Sequence, residues 1–238
     1  MRIRHSATLI AATLLMCGVA EAGPLEDVTR LIGKANQTPQ QPIKFSDGSV
    51  NWIDGSSVFR LPAAQAVIVK ARNLALDTDG ASAEVRSCDP DAQGGTALPD
   101  RHGNAIDSNA TPYYVLPSCD RGSKNYASCK KNPPYRQLGL QTGDLAAVIT
   151  GDKIAYAIAG DTGPEKKFGE GSIQLHRRLG HEVIGANPRN PQCAANVSLP
   201  QETYLVIFPK SNHKWLPNEE IDRAGAALWN NLLAVDGQ

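Results

Sequence analysis

Apolar positions recur at helical spacing in "PLEDVTRLIGKAN", where Leu25, Val28, Leu31 and Ile32 share one face and Gly33 is expected to end the helix. After the polar linker "NQTPQQP" the pattern changes to alternation. "SVFRL" and "AVIVKARNLAL" read as strands rich in β-branched residues, the second broken near Arg72 and Asn73. "DTDGASAEV" is a turn leading toward a further strand. Residues 87–109 are loop-like, long enough to suggest a stapled or functional loop. "PYYVLP" is a short strand between prolines, and "RGSKNYASCKKNPPYRQLG" is a second loop. In "DLAAVIT-GD-KIAYAIAG" two apolar runs flank Gly151-Asp152, a dipeptide suited to a tight hairpin turn. Ser172 is placed to cap a helix through Leu179, with Gly180 just beyond it. "TYLVIF" is a late buried strand. Asn218 is expected to cap a C-terminal helix whose apolar stripe is Ile221, Ala224, Leu228 and Leu232. These elements predict an α+β, strand-rich fold with non-sequential strand pairing.

The chain has 238 residues, 41% hydrophobic and 20% charged, which suits one core and one domain. Residues 1–22 are set apart as a signal peptide. Arg2 and Arg4 precede an apolar run from Ala7 to Met16, followed by the small-x-small pattern Ala20-Glu21-Ala22. Residues 23–238 then form a single catalytic domain. The apolar run is short for a membrane span. Cys17 raises a lipid anchor, but Met16 is a poor residue before a lipidated cysteine, and an exported soluble chain is preferred. Four cysteines follow the leader: Cys88, Cys119, Cys129 and Cys193. Three pairings are possible. Cys119–Cys129 with Cys88–Cys193 is preferred, because the first pair closes a short polar loop. No C-x-x-C or H-x-x-x-H spacing indicates a metal site. Without Arg2, Arg4 and Glu21, a chain of 24 basic and 24 acidic side chains is left near −1. No basic stripe points to nucleic acid.

The chemistry concentrates in "YAIAGDTGPEKKFGEGSIQLHRRLG". Asp161 sits in a Gly/Pro turn at the end of an apolar strand, and Glu170 lies between Gly169 and Gly171 just before a helix. Either alone reads as a turn or surface acid. As a pair at one rim of the core they can act on one bond: a protonated carboxyl gives a proton to a glycosidic oxygen, and an ionised one activates water. Gly169 and Gly171 read as slim backbone where a sugar approaches. His176, beside Arg177 and Arg178, reads as solvent-facing. Asp77 and Asp79 flank a turn in "ALDTDGA", with a groove acid as the functional reading and a plain Asp/Gly turn as the ordinary one. The aromatic residues Trp52, Tyr113, Tyr114, Tyr126, Tyr135 and Trp215 lie in or beside loops, and none is singled out for sugar stacking.

"ALDTDGA", "TPYYVLP", "GDLAAVI", "KIAYAIAGDTGP" and "FGEGSIQLHRRLG" together resemble the chitosanases of glycoside hydrolase family 75, known chiefly from fungi, over about Phe59 to Phe208. The resemblance implies endo-hydrolysis of β-1,4-linked glucosamine polymers with inversion. It implies that Asp161 and Glu170 are the catalytic pair and that Asp77 to Gly80 belong to the substrate groove, with Asp77 and Asp79 binding substrate. The same stretch is similar to double-psi β-barrel proteins, and on that analogy Asp161 is the general acid and Glu170 the general base. No cofactor is implied. The expected partner is a polysaccharide, with no nucleic acid and no stable membrane association, and the chain is expected to be a secreted monomer. Lys166 and Lys167 lie between the two acids, and lysines pointing into the groove would favour a neutral or anionic glycan over polycationic chitosan. A peptidoglycan-active hydrolase or transglycosylase, and a non-catalytic glycan-binding module, are the alternatives.

Overall fold

The computed structural model describes residues 22–35, 42–51, 56–61, 66–195 and 197–236. The expected signal peptide, with Cys17, lies outside the described residues apart from Ala22, as do Trp52 and most of the polar linker. Helix α1 spans Pro24–Ala35 and continues through Gly33, because its buried face of Val28 and Leu31 extends past the glycine to the buried Ala35 and packing outweighs one glycine. β1 (Ile43–Lys44) and β2 (Val50–Asn51) form a small hairpin.

The main sheet has eight strands. In chain order they are β3 (Ser56–Leu61), β4 (Ala66–Ala71), β5 (Ala75–Asp77), β6 (Tyr113–Pro117), β7 (Leu145–Thr150), β8 (Lys153–Gly163), β9 (Glu170–Ser172) and β10 (Thr203–Phe208). Their order in space is β3-β4-β10-β7-β8-β6-β9-β5. The first five are antiparallel neighbours, whereas β6 runs parallel to β8 and β5 parallel to β9. This is the strand-rich α+β fold that the apolar pattern predicts. The pairings among the described residues make a half-barrel sheet, and they do not by themselves define a double-psi crossover.

Alternation along the strands builds two apolar layers. Val67, Val69, Val148, Leu205 and Ile207 face one side, and Ile68, Ala147, Ile149 and Val206 face the other. The second side is covered by α1 and by helix α5 (Asn218–Asp236) through Val28, Leu31, Trp229 and Leu232. The buried stripe of α5 is Ile221, Gly225, Trp229 and Leu232. Ala224 and Leu228 flank it, half-buried, because Gly225 lets the helix lie against the Tyr156 ring. Asn218 lies in the first turn instead of capping it, and its side-chain amide donates to the Ala110 carbonyl.

Two further expectations are corrected. "ASAEV" leads into a single 3-10 turn at Val85–Cys88, not a strand. The second loop contains two one-turn helices, α2 (Tyr126–Cys129) and α3 (Pro134–Gln137). Residues 87–109 do form a long loop, and the Cys88–Cys193 disulfide staples it. Both preferred disulfides are present, Cys88–Cys193 and Cys119–Cys129.

Candidate active site

Strand β8 carries Asp161 past the point where the sequence would end it. By simple alternation Asp161 would follow Ala155, Ala157 and Ala159 into the first apolar layer. A bulge prevents this. Tyr114 pairs with Ala159, yet the next residue, Val115, pairs with Asp161, so Gly160 is the extra residue. Asp161 therefore shares the face of Val115, opposite the layer that holds Ala159. Glycine is required at the bulge, since a Cβ there would stand 2.5 Å from the Tyr113 Cβ and 2.6 Å from the Ile106 Cδ1. The bulged carbonyl accepts from the Leu98 N–H, which draws the long loop over the strand.

That loop also holds the acid. Oδ1 of Asp161 accepts hydrogen bonds from the N–H of Ala97 (2.9 Å) and of Thr162 (2.7 Å). Asp161 is nearly buried at the floor of an open polar cleft of about 540 Å³, whose lining includes Asp79, Asp120, Arg121, Tyr126 and Gly163. Burial is the main cause that pushes its carboxyl up to about 7, and the negative charge of Asp79 adds to it, against the lowering effect of the two N–H donors.

Glu170 approaches from the other side of β6. β9 meets β6 at Gly171 and Tyr114, while β8 flanks the opposite edge. A Cβ on Gly163 would lie 2.8 Å from Glu170 Oε2 and 2.9 Å from Val115 Cγ1, so the Glu170 carboxylate reaches over Val115 into the space that Gly163 leaves. Gly163 lines the cleft and lies two residues beyond Asp161 on the same strand face. Two residues of strand span about 7 Å. The two acids thus converge on one rim. Gly169 and Gly171 do not face it: they are packed against Ala71 and Asn73 and against Leu175, which corrects the reading of them as slim backbone beside a sugar.

The two lysines are engaged at this rim. Lys166 pairs with Asp47 at 2.6 Å and lies over the Phe45 ring, and Lys167 pairs with Glu170 Oε1 at 2.6 Å. Glu165 between these residues and Asp161 is fully buried, a role that no sequence pattern signalled. Its carboxylate accepts from the N–H and hydroxyl of Ser46, and its own N–H donates to Asp120 Oδ1, fastening the rim to the N-terminal segment.

Asp77 and Asp79 come to the same place. Asp77, Asp79 and Asp161 each bring one carboxylate oxygen within 4.8 Å of the other two. Asp79 lines the cleft, and Asp77 stands beside it, accepting from the Asp79 N–H at 2.9 Å. Burial pushes Asp77 well above the usual carboxyl range, and the charges of Asp161 and Asp79 push it the same way. Asp79 is raised as well, chiefly by burial.

A short helix, α4 (Ile173–Arg178), locks β5, β6 and β9 together. Ser172 caps it as expected, its Oγ accepting from Leu175 N–H (3.1 Å) and Tyr113 N–H (3.0 Å) and donating to the Thr111 carbonyl (2.7 Å). Gly180 (φ 77°) ends it in a Schellman turn, with Gly180 N–H bonded to Arg177 and His181 N–H to His176. His176 is fully buried, contrary to its reading as solvent-facing. Its Nε2 donates to the Ala75 carbonyl (3.1 Å), so its Nδ1 accepts from His181 Nδ1 (2.8 Å), and burial lowers its pKa to about 4. Ala75 is the β5 partner of Glu170. Tyr113 and Tyr114 are also fully buried, whereas Tyr126 lines the cleft.

The raised carboxyl makes a prediction about stability. Folded Asp161 keeps its proton up to about pH 7, while an unfolded aspartate loses it near 3.8. Between those values the folded state binds more protons, so stability falls as pH rises from about 4 to about 7 and does not recover above. Asp161→Asn should remove this contribution. At about 1.4 kcal/mol per unit, the variant should be a few kcal/mol more stable than the parent at pH 8 and little different at pH 4, as read by urea unfolding.

Acids gathered along an open polar cleft are the equipment of proteins that cleave glycosidic bonds. The family described as "Fungal chitosanase of glycosyl hydrolase group 75" matches residues 74–214, more than half of the chain, and the chain belongs to that family. All four acids lie within the matched span. Two curated Aspergillus oryzae proteins named Endo-chitosanase B are each 30% identical over 109 residues. The match covers 43% of this chain and 42% of theirs, so it spans less than half the length of these relatives.

Proposed function

We propose that this chain is a secreted endo-glycosidase that hydrolyses β-1,4-glucosamine linkages in chitosan with inversion, Asp161 acting as general acid and Glu170 as general base. The observation that carries this reading is the convergence of the two acids across β6, one of them buried and raised to about 7, the other reaching the rim at Gly163. Glu170 Oε2 lies beside Gly163, two strand residues or about 7 Å beyond Asp161, a spacing compatible with the roughly 6.5–9.5 Å between carboxyl groups that leaves room for an attacking water. Water bound between Glu170 and the anomeric carbon gives one proton to Glu170 as its oxygen bonds that carbon. The glycosidic C–O bond breaks, and the leaving oxygen takes the proton of Asp161. Glu170 then releases its proton to solvent, and Asp161 regains one.

Family membership and the two Endo-chitosanase B relatives support chitosan as substrate. So does the acidic character of the cleft around Asp77 and Asp79, which attracts ammonium groups. Lys166 and Lys167 are consistent with a cationic polymer, since each is matched by a carboxylate. Two disulfides fit export into an oxidising compartment. No helix among the described residues is long and apolar enough to cross a membrane.

The test is release of reducing ends from chitosan, chitin and peptidoglycan side by side, with the anomer of the first product read by NMR. Internal cleavage of chitosan giving the inverted anomer is expected. Activity confined to peptidoglycan, or an anhydro-sugar product, would replace the reading with a wall-lytic one. Binding without any cleavage would make the chain a glycan-binding module.

A further inference from the structure

We propose that Asp79 is a positioning residue of the catalytic centre, its carboxylate hydrogen-bonded to Asp161 so as to keep a proton on that acid and aim it into the cleft, a role that rests on the hydrolytic reading above and goes beyond attracting substrate. Carboxylate oxygens of Asp79 and Asp161 lie within 4.8 Å of each other, which places the two side chains to share a proton in a hydrogen bond. Ionised carboxylates only accept, so such a bond requires that one of the two carry a proton. Oδ1 of Asp161 already accepts from two backbone N–H groups, which leaves Oδ2 as the place for the proton.

Asp79 is held rigidly for this task. Its N–H donates to Asp77 Oδ1, its Oδ1 accepts from the Gln93 N–H, and its carbonyl accepts from the buried Tyr113 hydroxyl at 3.0 Å. The next residue, Gly80, has φ 75°, and a Cβ on it would stand 2.1 Å from the Ile106 carbonyl oxygen, so the turn admits no other residue without moving. An acid whose only task was to meet mobile substrate ammonium groups would not need three fixed partners.

The surrounding charges point the same way. Asp77 on β5, Asp89 beyond the 3-10 turn and Glu170 on β9 all act on this cluster, and the buried Tyr113 phenol lies against it. Arg121 lines the cleft as well, but Asp120 lines it beside Asp79, and Lys167 is paired with Glu170. Negative charge therefore dominates around Asp161. After it has given its proton to the leaving oxygen, two adjacent carboxylates are ionised, and their repulsion favours uptake of a proton from solvent before the next turnover.

The experiment compares the parent with Asp79→Asn and Asp79→Glu. In kcat/KM against pH on a glucosamine oligomer, Asp79→Asn should move the basic limb to lower pH by about one unit, with a larger loss at pH 7 than at pH 5. Asp79→Glu, which keeps the charge, should hold the limb near the parent's. A carboxyl-carbon NMR titration of Asp161 needs no substrate and should show the same shift. An unmoved limb and unmoved Asp161 midpoint in Asp79→Asn overturn the proposal: a rise in KM alone would assign Asp79 to substrate attraction, and a uniform loss at all pH to structure. A parent that cleaves no chitosan while the Asp161 midpoint still shifts would instead remove the hydrolytic reading and leave the carboxyl pair standing.

Discussion

Glu170→Gln and Asp161→Asn should each lower kcat/KM for chitosan by about 10²–10⁴-fold, the usual worth of a general acid or base. The losses have different causes. Without Glu170 no group takes the proton of the attacking water, whereas without Asp161 the leaving oxygen departs unprotonated. Asn at 161 preserves the bonds from Ala97 and Thr162, since its side-chain oxygen accepts as the carboxylate does. The variant should therefore fold, and by the pH argument above it should be more stable than the parent near neutrality while nearly inactive. This opposition of stability and activity is what the proposed role of a buried acid entails. Two assays decide it, reducing-end release and urea unfolding of the same preparations. Retention of more than about a tenth of parental activity in either variant, well short of the general acid–base range, would remove that residue from the pair.

The second large effect should come from the longer disulfide. Cys88–Cys193 closes a loop with a sequence separation of 105, against 10 for Cys119–Cys129. In the chain-entropy account a loop of about 100 residues contributes about 4.7 kcal/mol and a loop of about 15 only about 3 kcal/mol. Replacing both Cys88 and Cys193 by serine should thus cost about 4–5 kcal/mol, more than the same change at Cys119 and Cys129. The cost has a functional side, because the stapled loop supplies the Ala97 N–H to Asp161. Loss of the longer bridge should weaken activity before global unfolding, and urea titration followed in parallel by activity and far-UV CD would show the two transitions separate. Coincident transitions would mean that the bridge acts on global stability alone.

Much of the framework was legible because it is written locally. The β7–β8 hairpin rests on two apolar runs and Gly151-Asp152, the α4 cap on Ser172 and Gly180, and the disulfide pairing on an even cysteine count with one short polar loop. The acid pair was visible as a motif. What escaped depends on partners distant in sequence. His176 sits beside two arginines, so its neighbours advertise a surface, yet its ring meets the Ala75 carbonyl from a strand about a hundred residues earlier. Asp77 and Asp79 read as groove acids, but their approach to Asp161 follows from the β5–β9 and β6–β8 pairings, which no local pattern reveals. The second loop looked structureless because one-turn helices such as α2 and α3 carry too few residues to show a period. Gly160 did leave a trace: a glycine immediately before an acid, after a strictly alternating strand, marks a change of phase.

That phase change ties reactivity to correct assembly. A chain that zipped β8 onto β6 without skipping a residue would drive the Asp161 carboxyl among alanines and leucines, a misalignment penalised by the cost of burying a polar group without hydrogen-bond partners. Mispaired molecules are thereby destabilised, and the aspartate proposed as the general acid also acts as the proofreader of its own strand.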